Sequence, residues 1–163
     1  MNDAITLEEL LGWDEETSTF WYKHLEANPA LLALPCDIGD STNVQQLVRH
    51  IWSSQLRWAE RLAALPVTAR ENIPAGPLDR LFDVHRDAVE VFRRLLAGPA
   101  DRWSEPFTID WIGPKPRTVS RRKVAAHTLL HSQRHWAQLA TLVRTAGFPS
   151  GFRGDLLVSS ALE

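Results

Sequence analysis

Three histidines recur at four-residue intervals in the C-terminal third of the chain. They are His127, His131 and His135, in the run His127-Thr-Leu-Leu-His131-Ser-Gln-Arg-His135. In a helix, residues four apart lie one above the other at about 6 Å, so an adjacent pair can place two imidazole nitrogens on one ion. All three are harder to bring to one ion, because His127 and His135 are separated by about 12 Å of helical rise. The spacing therefore predicts a metal site made from one adjacent pair and a ligand from a neighbouring helix.

The alternative interpretation is that a long helix merely contains histidines, which are solvated or hydrogen-bonded in the core. The three histidines share their face with Leu139 and Leu142, and that face is predicted to point into the core. Buried imidazoles without an ion would each need a separate polar partner, which favours the metal site.

Three histidines on other predicted helices are candidates for the remaining ligand. Spacing favours His85, which lies in the middle of an apolar helix face. His50 lies at the edge of such a face, and His24 is the weakest candidate because it is predicted on the surface. Periodicity alone does not decide among them.

Four amphipathic helices position these histidines. Capping residues, apolar residues at helical spacing and Gly/Pro stop signals predict helices over residues 6–28, 43–65, 77–96 and 120–146. The first begins with a capping box, Thr6 with Glu9, and Pro77 is predicted at the first position of the third. Four such helices predict an all-α four-helix bundle, with residues 1–163 forming a single domain.

Two connections are longer than a bundle needs. The segment that ends at Asp40 is predicted to be irregular. Residues 107–112 and 117–119 are rich in β-favouring types and flank a Gly/Pro turn at 113–116, which predicts a short β-hairpin inserted before the last helix.

The chain resembles the DinB/YfiT-like proteins in two segments. Asn43-Val-Gln-Gln-Leu-Val-Arg-His50-Ile, with Trp58-Ala-Glu-Arg-Leu after it, is similar to their second helix. His131-Ser-Gln-Arg-His135-Trp-Ala-Gln138 is similar to the signature of their last helix, two histidines four apart and then a glutamine. The hairpin before that helix and the glycine after it match as well, so the resemblance spans nearly the whole chain.

The resemblance implies a four-helix bundle that binds one divalent transition metal, zinc or nickel, through three histidines. Carried over, the ligands are His50, His131 and His135. The residues left around the site would line its pocket or orient its ligands: His85, His127, Trp136 and Gln138. The chain departs from the family at Trp136 and Ala137, where many members have Arg and Gly, so substrate specificity does not carry over. The family also suggests a homodimer.

A site with three neutral ligands suggests an enzyme. It leaves coordination positions open, and a water or thiol bound there loses its proton more easily. Some relatives use such a site for chemistry on low-molecular-weight thiols. We therefore expect a thiol transferase or a hydrolase acting on a small molecule, with no catalytic residue assigned. The alternative is a non-catalytic bundle in which the metal is structural.

Basic residues crowd the start of the fourth helix. Arg117 and Arg121 are candidates for binding an anionic group of the substrate, since helix N-termini attract anions. The alternative, which the sequence favours, is a solvated face balanced by Asp101, Glu105 or Asp110.

Composition excludes several other classes of protein. The formal charge is −2, with 18 basic and 20 acidic residues, which argues against a nucleic-acid partner. No apolar run approaches the length of a membrane span, and the acidic N-terminus does not resemble a signal peptide. Cys36 is the only cysteine, so no disulfide forms within the chain. Together these features predict a cytoplasmic protein.

Overall fold

The computed structural model describes residues 4–110 and 113–162. Its main elements are the helices α1 (Leu7–Ala27), α2 (Val44–Leu62), α3 (Leu78–Leu96) and α4 (Arg121–Thr145). Both α1 and α2 pack against α3 and α4. The predicted all-α four-helix bundle is thus confirmed. None of the helices described is long and apolar enough to cross a membrane.

Local signals set most of the helix boundaries. The capping box at α1 forms as predicted: the Glu9 N–H donates to Thr6 Oγ1 at 3.1 Å, and the Thr6 N–H donates to Glu9 Oε2 at 2.6 Å. Such a cap contributes about 1 kcal/mol, because it satisfies N–H groups that the helix itself leaves without partners.

Two boundaries differ from the sequence prediction. The second helix ends at Leu62 rather than Leu65, because Ala64 adopts a left-handed conformation with φ of 57° that the helix cannot continue through. The third helix begins at Leu78, with Pro77 in extended backbone as its N-cap rather than its first helical residue.

The predicted hairpin before the last helix is confirmed. Strands β3 (Pro106–Ile109) and β4 (Arg117–Ser120) pair antiparallel, with Phe107 opposite Val119. Residues 111 and 112, which the prediction placed at the end of the first strand, lie outside the described residues. Because β4 runs directly into α4, the hairpin fixes where that helix begins.

A second, smaller hairpin occupies the connection after α1, where the sequence predicted irregular structure. Strands β1 (Pro35–Ile38) and β2 (Ser41–Asn43) pair antiparallel, and Gly39 turns between them with φ of 60°. Among the residues of these two strands only Ile38 and Thr42 are β-branched or aromatic, which is why the prediction was wrong here. This hairpin leads directly into α2.

Three tryptophans hold α1, α2 and α4 together. Trp21, Trp52 and Trp136 are completely buried. The rings of Trp21 and Trp136 stack at 5.9 Å, and Trp52 meets Trp136 edge-on at 5.8 Å. Aromatic side chains of this size each bury some 150–250 Å², so they dominate the energy of the contact. Trp136 directly follows His135, so this packing also fixes the helix segment that carries the histidines.

Candidate metal centre

Three imidazole rings from two helices converge on one point. His50 comes from α2, and His131 and His135 come from successive turns of α4. One nitrogen of each ring lies within 4.8 Å of a nitrogen of each of the others. The Nε2 atoms of His131 and His135 are 3.1 Å apart, and the His50 ring centroid lies 5.3 and 5.1 Å from those of His131 and His135. We call these residues the three-histidine cluster.

Side-chain caps fix the start of both helices that carry the cluster. Asn43 Oδ1 accepts from the Gln46 N–H at 2.9 Å at the start of α2, and Ser120 Oγ accepts from the Lys123 N–H at 3.2 Å at the start of α4. The sequence predicted the Ser120 cap, and for α2 it offered Ser41, Thr42 and Asn43 as possible caps. Because a helix advances by 1.5 Å per residue, fixing its first turn also sets the height of every later side chain along the bundle.

The donor set fits a metal ion. His135 Nδ1 lies 2.8 Å from Gln138 Oε1, and an amide oxygen only accepts, so Nδ1 carries the proton and Nε2 keeps its lone pair. Two nitrogens 3.1 Å apart can each lie about 2.0–2.1 Å from a shared ion, at an N–ion–N angle of roughly 100°. Nitrogen donors in this geometry suit zinc, nickel, copper or iron.

One side of the three-histidine cluster faces solvent. His135 is 4% exposed, whereas His131 is half-buried and His50 is exposed. Among the described residues, no fourth histidine, cysteine or carboxylate joins the group. An ion held here would therefore keep room for a further ligand from outside the chain.

The environment keeps all three imidazoles neutral. Burial is the main cause that lowers the pKa of each ring, because an imidazolium loses hydration there. The pKa of His131 falls to about 3, and the neighbouring His135 and His50 lower it further. Neutral rings present lone pairs instead of protons, which is the state that binds a metal.

Comparison with known proteins gives the family of the chain. The family model of the DinB superfamily matches residues 8–139. The chain belongs to the DinB superfamily. The search of curated proteins gave no match.

The match to the DinB superfamily model covers all three members of the three-histidine cluster. It runs from the first turn of α1 to a point in α4 just beyond Gln138. His50, the ligand that the resemblance implied, is the residue that meets the α4 pair.

The other two candidates for the third ligand lie elsewhere. His85, which spacing favoured, is buried in the core, and its Nδ1 lies 2.9 Å from Gln55 Oε1. His24 stacks on Phe20 at 6.1 Å and meets Trp21 edge-on. Residues that share an apolar stripe with the core need not point at the same place, so periodicity could not separate these candidates.

Three further residues that were predicted to surround the site lie on α4 next to members of the three-histidine cluster. Gln138 contacts it directly through the His135 hydrogen bond. His127 is exposed, with its ring centroid 5.8 Å from that of His131. Trp136 turns away into the core, where it packs on the other tryptophans.

The basic residues at the start of α4 have contacts of their own. Arg121 Nη1 donates to the Leu62 carbonyl, Nε lies 3.0 Å from Glu105 Oε2, and the guanidinium lies over Phe107. The contact with Glu105 is one that the alternative interpretation named. Arg117 is exposed on β4. Anion binding by these two residues stays a prediction.

Sequence reasoning missed a second polar group inside the bundle. Gln55 Nε2 donates to Asp14 Oδ2 at 2.6 Å and to Ser132 Oγ at 2.8 Å, while Gln55 Oε1 faces His85 Nδ1. We call Asp14, Gln55, His85 and Ser132 the buried polar network. One residue comes from each helix, and none is more than 2% exposed.

A sequence signal for this network exists. Asp14 falls between Leu11 and Trp21 on the apolar stripe of α1, and Gln55 falls between Ile51 and Leu62 on that of α2. Polar residues at core positions must find hydrogen-bond partners there, so each predicts a partner on a facing helix.

Proposed function

We propose that this DinB protein is a metal-dependent enzyme, of the thiol transferase or hydrolase type, acting on a small molecule. His50, His131 and His135 would hold one divalent ion, zinc or nickel. The observation that carries the proposal is the convergence of three neutral nitrogen donors at a point open to solvent. Three protein ligands with an open position are typical of catalytic rather than structural zinc.

The bound ion would supply Lewis acidity, which makes a thiol or water at the open position more acidic. The residues of the chain have separate tasks. Gln138 holds His135 in the tautomer that leaves Nε2 free. The exposed side of His50 gives a small substrate, such as a low-molecular-weight thiol, access to the site.

The second candidate function is a structural metal that ties α2 to α4. It is favoured by the origin of the ligands, since they come from two helices that are far apart in sequence. An ion that cross-links them would stabilise the fold whether or not it did chemistry. The two functions differ in whether the ion exchanges a ligand with solvent.

The first experiment measures metal content. Untagged wild-type protein, purified after expression with added zinc or nickel, should contain one equivalent of metal. His50→Ala and His131→Ala should retain less than a tenth of it. His24→Ala is the matched control, because it removes a histidine outside the cluster and should leave the metal in place. Stoichiometric metal in both cluster variants would contradict the site.

The second experiment separates the enzyme from the structural alternative. Cobalt-substituted protein should change its visible spectrum when a small thiol is added, because a ligand enters an open position. A spectrum that stays constant up to thiol concentrations in the millimolar range would favour the structural ion.

The expected homodimer belongs to the same proposal. It is supported by the family resemblance and by apolar side chains that the single chain leaves exposed, among them Leu157 and Val158 in the C-terminal tail. Light scattering coupled to size-exclusion chromatography tests it: a mass of one chain across the micromolar range would contradict the dimer.

A further inference from the structure

A guanidinium group reaches into the three-histidine cluster. Arg134 Nη2 lies 3.4 Å from Nε2 of His135, the nitrogen that faces His131. The Arg134 side chain is exposed, and no carboxylate within the described part of the chain forms an ion pair with it. Its charge is therefore available to a group that comes from solvent.

A divalent ion in the cluster would add positive charge close to the Arg134 guanidinium. Three neutral imidazoles leave its charge uncompensated, and a guanidinium within a few ångströms repels it. An anion that contacts both removes the repulsion. The planar guanidinium presents two parallel N–H donors that match the two oxygens of a carboxylate.

We infer that Arg134 binds a carboxylate of the small molecule that occupies the three-histidine cluster. The inference rests on the proposed function and narrows its substrates to small carboxylic acids and, among thiols, to those that carry a carboxylate. Arg134 is then a specificity-determining residue at the opening of the site.

The test compares two thiols that differ in the carboxylate. Cobalt-loaded protein is titrated with mercaptoacetate and with 2-mercaptoethanol, the change in the cobalt spectrum gives each affinity, and metal content is measured again afterwards. Wild-type protein should prefer mercaptoacetate by about tenfold or more, the usual worth of a charge-assisted hydrogen bond. Arg134→Gln should lose most of that preference. Arg134→Lys, which keeps the charge without the two parallel N–H donors, should lose part of it.

Arg144→Gln is the matched control. Arg144 is also exposed on α4, one residue before its C-terminal end and nine residues beyond His135, so its variant should keep the full preference. If Arg134→Gln keeps the full preference while it binds cobalt, carboxylate recognition by Arg134 is wrong and the metal site stands. If wild-type protein takes up no cobalt, the proposed function fails and this inference fails with it.

Discussion

The bundle contains two groups of polar side chains that interrupt its apolar helix faces. The three-histidine cluster and the buried polar network each include histidine, and they meet at adjacent residues of α4, His131 and Ser132. In the network, donors face acceptors of the chain, as Gln55 does with Asp14 and His85. In the cluster, nitrogens of one kind face each other, with Nε2 atoms 3.1 Å apart.

The difference shows how a histidine site can be assigned from its partners. Each residue of the network has found a hydrogen-bond partner within the protein, so nothing further is needed there except at Asp14 Oδ1, which is buried without one. The cluster has two such partners, both at His135: Gln138, at the nitrogen that faces away from the other rings, and Arg134, whose Nη2 lies 3.4 Å from the inward-facing Nε2. A shared cation would satisfy the inward-facing nitrogens of all three rings together. The four predictions that follow test whether the two groups act separately.

Removing Gln55, the centre of the buried polar network, should have the largest effect on the free energy of unfolding. Gln55→Ala leaves Asp14, His85 and Ser132 without their shared partner and opens a cavity, so it should lower the free energy of unfolding by about 4 kcal/mol. Urea unfolding of metal-free protein measures it, and Gln133→Ala, a partly exposed amide of α4, is the control. A folded Gln55→Ala protein that no longer binds metal would show that the groups are not separate.

Adding metal should have the next largest effect, and it should depend only on the cluster. At free zinc about 100-fold above its dissociation constant, binding to the folded state alone stabilises it by about 3 kcal/mol. Thermal unfolding of wild-type protein should shift upward accordingly on adding zinc to the metal-free form. His131→Ala should show no shift, and an equal shift in that variant would place the ion elsewhere.

Asp14 should make stability depend on pH. Burial raises its pKa from 3.8 to about 7, although the Gln55 hydrogen bond opposes the shift. Between these values the folded state holds a proton that the unfolded chain has lost, so stability is lost as pH rises from about 4 to about 7. The side chain of Asp14→Asn stays neutral. The free energy of unfolding of this variant should therefore rise relative to that of the wild type by about 2.5 kcal/mol between pH 5 and pH 8.

The measurement for Asp14 is urea unfolding of both proteins across this pH range. His85 acts in the opposite direction, because burial lowers its pKa to about 3 and stability is lost as pH falls below about 6.5. Its contribution is shared by both proteins and cancels in their difference. A difference that stays constant with pH would show that Asp14 is ionised in the folded state.

Gln138→Ala should have the smallest of the four effects. It should change the free energy of metal binding but not the free energy of unfolding. Without the amide oxygen, the His135 ring loses the partner that fixes its tautomer. Metal affinity should fall about tenfold, or about 1.4 kcal/mol, when measured by competition with a chromophoric chelator. The unfolding of the metal-free protein should stay within about 0.5 kcal/mol, since Gln138 is exposed. Unchanged affinity would mean that the ring is oriented by packing alone.

Much of this protein was predictable because its signals are local. The capping residues Thr6, Asn43 and Ser120 begin helices as predicted, since a cap acts on N–H groups within three residues of it. Helical geometry predicted that one adjacent pair among His127, His131 and His135 shares a site, because four residues make about one turn, and the family resemblance singled out His131 and His135. The β1–β2 hairpin was not predicted because its strands contain few β-branched or aromatic residues, unlike residues 107–112 of the hairpin that was predicted.

What the sequence determined by itself was therefore the set of helices and the side chains that share a face within each. Periodicity left open which faces meet, and the tertiary structure decided it. His50, as the family resemblance implied, lies beside the α4 pair rather than His85, Gln55 lies between Asp14 and His85, and Arg134 lies over the histidines. The physical reason is that periodicity fixes directions around one helix axis. The rotation and height of one helix relative to another depend on packing between residues far apart in sequence, such as Trp21 and Trp136.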